Sequence, residues 1–167
     1  MTDDDVGIGD FDALAQDAAT AALLACCSSP AWARGVLAGR PYGSVDRLFA
    51  AADAVLAELP ESEIDAALAG HPRIGDTPDN AASAREQAGV ADSGDEVRAA
   101  LAAGNREYEE RFGHLYLVCA SGRSGPELLE VLRARLGNDP ATERQVMRTE
   151  LAKINRIRLA RMLGGAS

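Results

Sequence analysis

Apolar residues recur at intervals of three and four along most of this chain. That is the period of helices that bury one face. Val45, Leu48, Phe49, Ala52, Val55, Leu56 and Leu59 make the clearest run, with Ser44 placed to cap it and Pro60 to end it. Upstream, Asp10 is expected to cap a short helix holding Phe11 and Leu14, and an alanine-rich helix follows over 17–27. Ser28-Ser29-Pro30 breaks that helix, and Pro30 suits the first turn of another that carries Trp32 and Val36. Trp32, the sole tryptophan, is assigned to the core. Downstream, Ser62 with Asp65 reads as a capping motif for 63–69, and Thr77-Pro78-Asp79-Asn80 starts a helix over 81–88 that Gly89 stops. Ser93-Gly94-Asp95-Glu96 reads as a capping box for 94–112, ended by Gly113. Ser124 with Glu127 boxes 125–136, and Asp139-Pro140 opens a last helix to about Leu163. Only the apolar run 115–119 escapes this period; it fits a buried strand or a helical turn and is treated as a buried connection. The pattern predicts an all-α, single-domain bundle of about eight helices, several short. It spans residues 10–164, behind a loose acidic segment 1–9.

Composition narrows the function more than the fold. Aromatics are 4% against abundant alanine and leucine, which favours close-packed helices over a β-sandwich. A net charge of −9 argues against a nucleic-acid partner. No run approaches the roughly eighteen apolar residues that cross a bilayer. The acidic start lacks the basic character of a signal peptide, and the terminal Gly-Ala-Ser is no peroxisomal address. Cys26 and Cys27 are adjacent and Cys119 stands alone; this is no disulfide framework, and a reducing cytoplasm is the expected setting. Two histidines without a Cys-x-x-Cys pair make a zinc site unexpected. Phosphate loops and nucleophile elbows are missing too, which leaves acid–base and electrostatic chemistry.

Three places could supply it. Gly70-His71-Pro72-Arg73-Ile74-Gly75-Asp76 sets a histidine on a turn, because Pro72 biases His71 away from the helical region. Gly70 suits a helix-closing residue and Gly75 a second change of direction. Ser83, Glu86 and Gln87 share one helix face, presenting a hydroxyl, a carboxylate and an amide; the plainer alternative is a solvated polar face. In the last helix, Met147, Leu151 and Ile154 form an i, i+4, i+7 stripe that Met162 extends, and Arg158 interrupts it. A guanidinium there calls for an anion, from the protein or from a ligand. Arg161, at the edge of the stripe, is expected to reach water.

These segments resemble the OHCU decarboxylase family, OHCU being 2-oxo-4-hydroxy-4-carboxy-5-ureidoimidazoline, on the route from urate to allantoin. The resemblance rests on His71-Pro72-Arg73-Ile74-Gly75, Ser83-Ala84-Arg85-Glu86-Gln87, and Tyr108 through Phe112-Gly113. Leu117-Val118-Cys119-Ala120-Ser121-Gly122-Arg123 and Lys153-Ile154 followed by Arg158-Leu159 extend it. It implies an all-α fold, usually dimeric, and a carboxy-lyase needing neither cofactor nor metal that forms (S)-allantoin. It further implies His71 and Glu86 as catalytic residues. Pro72, Ser83, Gln87, Leu117, Val118, Cys119, Ala120, Ser121 and Arg158 would line a small-molecule substrate. Cys27-Ser28-Ser29-Pro30 departs from the family's more usual Glu-His-Ser-Pro, and His114 stands where an apolar residue is common, as a structural side chain. Two other readings stay open: a non-enzymatic helical interaction module, and a related enzyme acting on another ureide with the same His-Glu pair.

Overall fold

The computed structural model describes residues 7–69, 71, 73–74, 84, 86–91 and 93–164. Among them the regular elements are helices, and no strand occurs. They fall into two compact units, residues 1–70 with 152–167 and residues 71–151.

The first unit contains α1 (Ile8–Ala13), α2 (Gln16–Cys26), α3 (Pro30–Ala38), α4 (Val45–Glu58) and α5 (Glu61–Leu68), joined by the C-terminal half of α9 (Pro140–Met162). Pro30 stands in the first turn of α3, as the sequence predicts, and Ser29 caps that helix by accepting the Trp32 N–H at 3.1 Å. The same hydroxyl donates to Glu63 Oε2 at 2.8 Å, fastening α3 to α5. Trp32 is fully buried and its indole N–H donates to the Ala52 carbonyl of α4. Leu23, Val36, Leu48, Leu56, Ile64 and Leu159 complete this core. Ser44 caps α4 as expected, accepting from the Arg47 N–H.

Two caps differ from expectation. The first helix starts at Ile8, not after Asp10: Gly7, at φ 100°, takes the capping position, and Asp10 lies inside the first turn. Ile8 is itself buried, so part of the segment expected to be loose is ordered. Nor does Ser62 cap α5. The Pro60 carbonyl accepts the N–H groups of Glu63 and Ile64, so the helix begins two residues early, with Glu61 and Glu63 in a first turn that favours acids.

The second unit contains α6 (Ala88–Ala91), α7 (Asp95–Phe112), α8 (Gly125–Leu136) and the first half of α9. α7 packs on α8 around Leu101, Tyr108, Leu128 and Leu132, and Ile74, Val90, Tyr116 and Val118 close the cluster. The expected box at Ser93 is not formed: α7 is capped by Gly94 without a side-chain bond, and the Ser93 hydroxyl donates to the Gly89 carbonyl instead. Gly89 does not stop a helix either but sits within α6. A Cβ there would stand 2.1 Å from the Arg123 carbonyl oxygen, so close backbone approach sets this glycine. Of the helix expected over 81–88, Ala84 and Glu86 are helical, while residues 81–83 and 85, the turn at 77–80, and Gly70 and Gly75 lie outside the described residues. Gly113 ends α7 in the left-handed region, and Ser124 caps α8 by accepting the Glu127 N–H. The 115–119 run is an irregular connection with Tyr116, Leu117 and Val118 buried, as expected.

Candidate functional site

In the second unit, His71 lies half-buried on a bend. The turn it opens is held from three sides. Asn105 of α7 donates to the Ile74 carbonyl at 2.7 Å, and Gln87 Nε2 to the Arg73 carbonyl at 3.4 Å. Arg73 forms a fork with Glu109, Nε to Oε1 at 2.7 Å and Nη2 to Oε2 at 3.2 Å. That last pair is exposed and worth about 1 kcal/mol or less. Glu86 and Gln87 are 6% and 7% exposed, so these two side chains do not lie on a solvated face. Pro72 and Ser83 lie outside the described residues.

The 117–121 segment lies in the same unit, with Leu117, Val118 and Ala120 buried and Cys119 and Ser121 half-buried. With no ladder of its own, its backbone depends on side chains. Arg135 Nη1 of α8 donates to the Leu117 carbonyl at 2.7 Å, and the Cys119 N–H donates to Glu150 Oε1 of α9 at 3.3 Å. Between them, the N–H and carbonyl of Val118 make no hydrogen bond, and the buried Ser121 hydroxyl has no partner, among the described residues. Buried backbone groups left unpaired are rare, which sets this stretch apart from the rest of the unit.

Behind the segment lies a buried ionic network that the sequence reading did not single out. Arg135 grips Glu143 through Nε at 3.0 and 3.1 Å and through Nη2 at 2.9 Å. Glu143 also accepts from the Tyr108 hydroxyl and from Asn138 Nδ2. Burial alone would raise the Glu143 carboxyl, but bonds from Arg135, Tyr108 and Asn138 outweigh it and hold the group below its ordinary range. Burial, reinforced by the bond to Glu143, pushes the Tyr108 phenol up. His114 stacks on Phe112 and meets Tyr108 edge-on, a structural place as expected. A signal for the network did exist. Leu128, Leu132 and Arg135 follow i, i+4, i+7 spacing on α8, and Glu143, Met147, Glu150 and Ile154 continue one stripe on α9. Charges inside apolar stripes mark all three residues.

Arg158 belongs to the first unit, where it is half-buried at the end of the Met147, Leu151, Ile154 stripe. Its Nη1 donates to the Cys26 carbonyl at 3.2 Å. Burial pushes the Cys26 thiol up to about 12, against the pull of Arg158, and raises Cys27 as well. Neither thiol is therefore a ready nucleophile. Arg161 is half-buried, and one of its guanidinium nitrogens, Nη1, is buried with no hydrogen-bond partner among the described residues. Among the described residues, no three His, Cys, Asp or Glu side chains are grouped to hold a metal, and no helix is long and apolar enough to cross a membrane.

The model of the OHCU decarboxylase family matches residues 12–160. The chain is 34% identical over 139 residues to the 2-oxo-4-hydroxy-4-carboxy-5-ureidoimidazoline decarboxylase of Amia calva, covering 78% of each protein. It is 29% identical over 145 residues to the uric acid degradation bifunctional protein TTL of Arabidopsis thaliana, spanning 82% of this chain but 45% of the plant protein. An OHCU decarboxylase crystallised in the presence of (S)-allantoin superposes with a TM-score of 0.76 at 26% identity, covering 84% of this chain and 96% of that one. An (S)-allantoin synthase shares the fold at a TM-score of 0.74 and 16% identity, over 93% of this chain and 53% of the other. With its family motifs in order and the all-α architecture in common, this chain belongs to the OHCU decarboxylase family.

Proposed function

We propose that this protein decarboxylates OHCU to (S)-allantoin, with His71 and Glu86 as its acid–base pair. The observation that carries the reading is the family match across residues 12–160, in which the motif carboxylate Glu86 is buried next to Gln87, whose amide holds the turn of His71.

The chemistry needs little beyond positioned protons. The bond between C4 and its carboxylate breaks, carbon dioxide leaves, and the freed pair forms a C4=C5 double bond. The π pair of the ring C5=N moves onto nitrogen, which takes up a proton, giving an enol. Return of the C4 hydroxyl proton to C5 then produces allantoin. The substrate is its own electron sink, a task other decarboxylases give to a cofactor. His71 and Glu86 grip the C4 hydroxyl and carry its proton, a role worth roughly 10²–10⁴ in rate. The unpaired Val118 amide and carbonyl and the Ser121 hydroxyl suit the ring and ureido N–H and C=O groups, and Gln87, Cys119 and the buried Leu117 and Ala120 complete that wall. Pro72 and Ser83 are assigned to substrate by their motif positions, and Arg158 to the anionic group of the substrate. The family resemblance adds a homodimer and the cysteine pattern a reducing cytoplasm, which light scattering of the purified protein and fractionation would test.

The test is to add protein to freshly generated OHCU and follow chiral allantoin. His71→Ala and Glu86→Ala should each keep their helical circular dichroism and lose most of the activity. A folded His71→Ala variant with near wild-type turnover removes the central assignment. Activity lost to a chelator and restored by metal would instead point to Lewis-acid catalysis.

A further inference from the structure

The irregular 117–121 segment is gripped by charged side chains at two points, and both come from the helices behind it. Arg135, 5% exposed, donates to the Leu117 carbonyl, and Glu150, 6% exposed, accepts the Cys119 N–H. These groups stand two residues apart, the spacing at which backbone groups of an extended chain share one edge. Val118 then turns its own N–H and carbonyl to the opposite edge, and both are free of hydrogen bonds. Arg135 is itself locked by three contacts to Glu143, which Tyr108 and Asn138 hold in turn. A guanidinium so constrained has one orientation left for Nη1. The carbonyl it binds is fixed to the same degree.

We infer that Arg135, locked by Glu143, and Glu150 are positioning residues: together they clamp the Leu117 carbonyl and the Cys119 amide and so fix the free edge at Val118 that faces substrate. The inference rests on the decarboxylase reading for its catalytic part, while the clamp itself is a claim about the second unit alone. It also explains why two carboxylates and a guanidinium occupy apolar stripes at all. As plain core elements they would be replaceable by apolar residues without loss. As a clamp they are not, because no apolar side chain holds a carbonyl or an amide.

Two perturbations test it. Arg135→Met combined with Glu143→Leu removes the clamp on Leu117 without stranding a buried charge, and Glu150→Leu removes the clamp on Cys119. Amide hydrogen exchange should quicken at residues 118–121 in both, with the protection of α7 retained. Glu150→Gln, which keeps a carbonyl acceptor, should restore protection of the segment. On OHCU, both unclamped variants should lose about 10- to 100-fold in kcat with KM nearly unchanged, and part of the allantoin handedness, since loose placement of a reacting group costs that much. Unchanged exchange at 118–121 in a folded double variant overturns the clamp, whatever the activity. Faster exchange with wild-type kcat and handedness overturns the catalytic role. If the wild-type protein fails on OHCU, the decarboxylase reading falls with that part, and the exchange data still decide the clamp.

Discussion

Removing Glu143 alone should cost far more than removing it together with Arg135. Glu143 is fully buried and accepts hydrogen bonds from Arg135, Tyr108 and Asn138. Glu143→Leu leaves the Arg135 guanidinium buried without its counter-ion, a loss of about 3–5 kcal/mol. At roughly 2–4 °C per kcal/mol for a chain of this size, the midpoint of thermal unfolding falls by roughly 6–20 °C. Arg135→Met should cost a comparable amount by stranding the carboxylate. The double variant removes both charges and leaves only the Tyr108 hydroxyl, Asn138 amide and Leu117 carbonyl to re-pair. Its loss should therefore be smaller than that of either single variant, falling short of their sum by more than one single's cost of about 3–5 kcal/mol. Urea unfolding followed by circular dichroism at neutral pH measures all three variants. The pair also sets a pH dependence. Glu143 is held below its ordinary value of 4.5, so its contribution is complete above that pH and is lost as pH falls through the depressed folded value. The acid limb of the stability curve should flatten in Glu143→Leu. Strictly additive losses, or an unaltered acid limb, would refute the coupling.

Ellman's reagent should label Cys119 of the native protein first and reach Cys26 and Cys27 only on unfolding, because burial raises both thiols, Cys26 to about 12. Those raised values add stability below the ordinary 9.0 that is lost as pH climbs through the folded value, which alkaline unfolding would record. Gly104→Ala should destabilise by about 1–2 kcal/mol despite better helix propensity, because the new Cβ would lie 2.5 Å from Leu132 Cδ2. Adding Leu132→Val should recover part of that loss in a denaturant titration. Arg158→Met should leave unfolding nearly unchanged while kcat/KM falls; a marked loss of stability with normal kinetics would make the arginine structural.

Elements whose ends are set locally were legible in the sequence. Pro30, Ser44 and Ser124 act within four residues of themselves: Pro30 opens its helix, and the two serines form the caps their spacing predicts. Asp10, Ser62 and Ser93 have the same chemistry but lose the position to a backbone carbonyl or a glycine, because neighbouring chain fixes the helix start. Gly89 misled in the same way, its role being close contact with Arg123. The motif residues proposed for the site come from resemblance alone. Arg135, Glu143 and Glu150 were not legible, since charges on amphipathic helices read as surface unless their phase is compared with the apolar stripe. That comparison found Arg158 on α9 and applies equally to the other three.

The division at residues 70–71 and 151–152 also bears on the order in which the chain acquires structure during synthesis. The second unit is one uninterrupted piece, so every residue of its aromatic cluster and ionic clamp has left the ribosome once residue 151 emerges. The first unit must wait. α1 to α5 are made early, but Leu159 and Leu163, buried in that unit, are added only after the whole of the second unit. Until then the core of the first unit lacks Leu159 and Leu163, and the early-made half of the protein is the one that needs shielding from aggregation. A nascent chain stalled before Leu159 should hold protease-resistant structure in residues 71–151 while α2 to α4 remain open to cleavage.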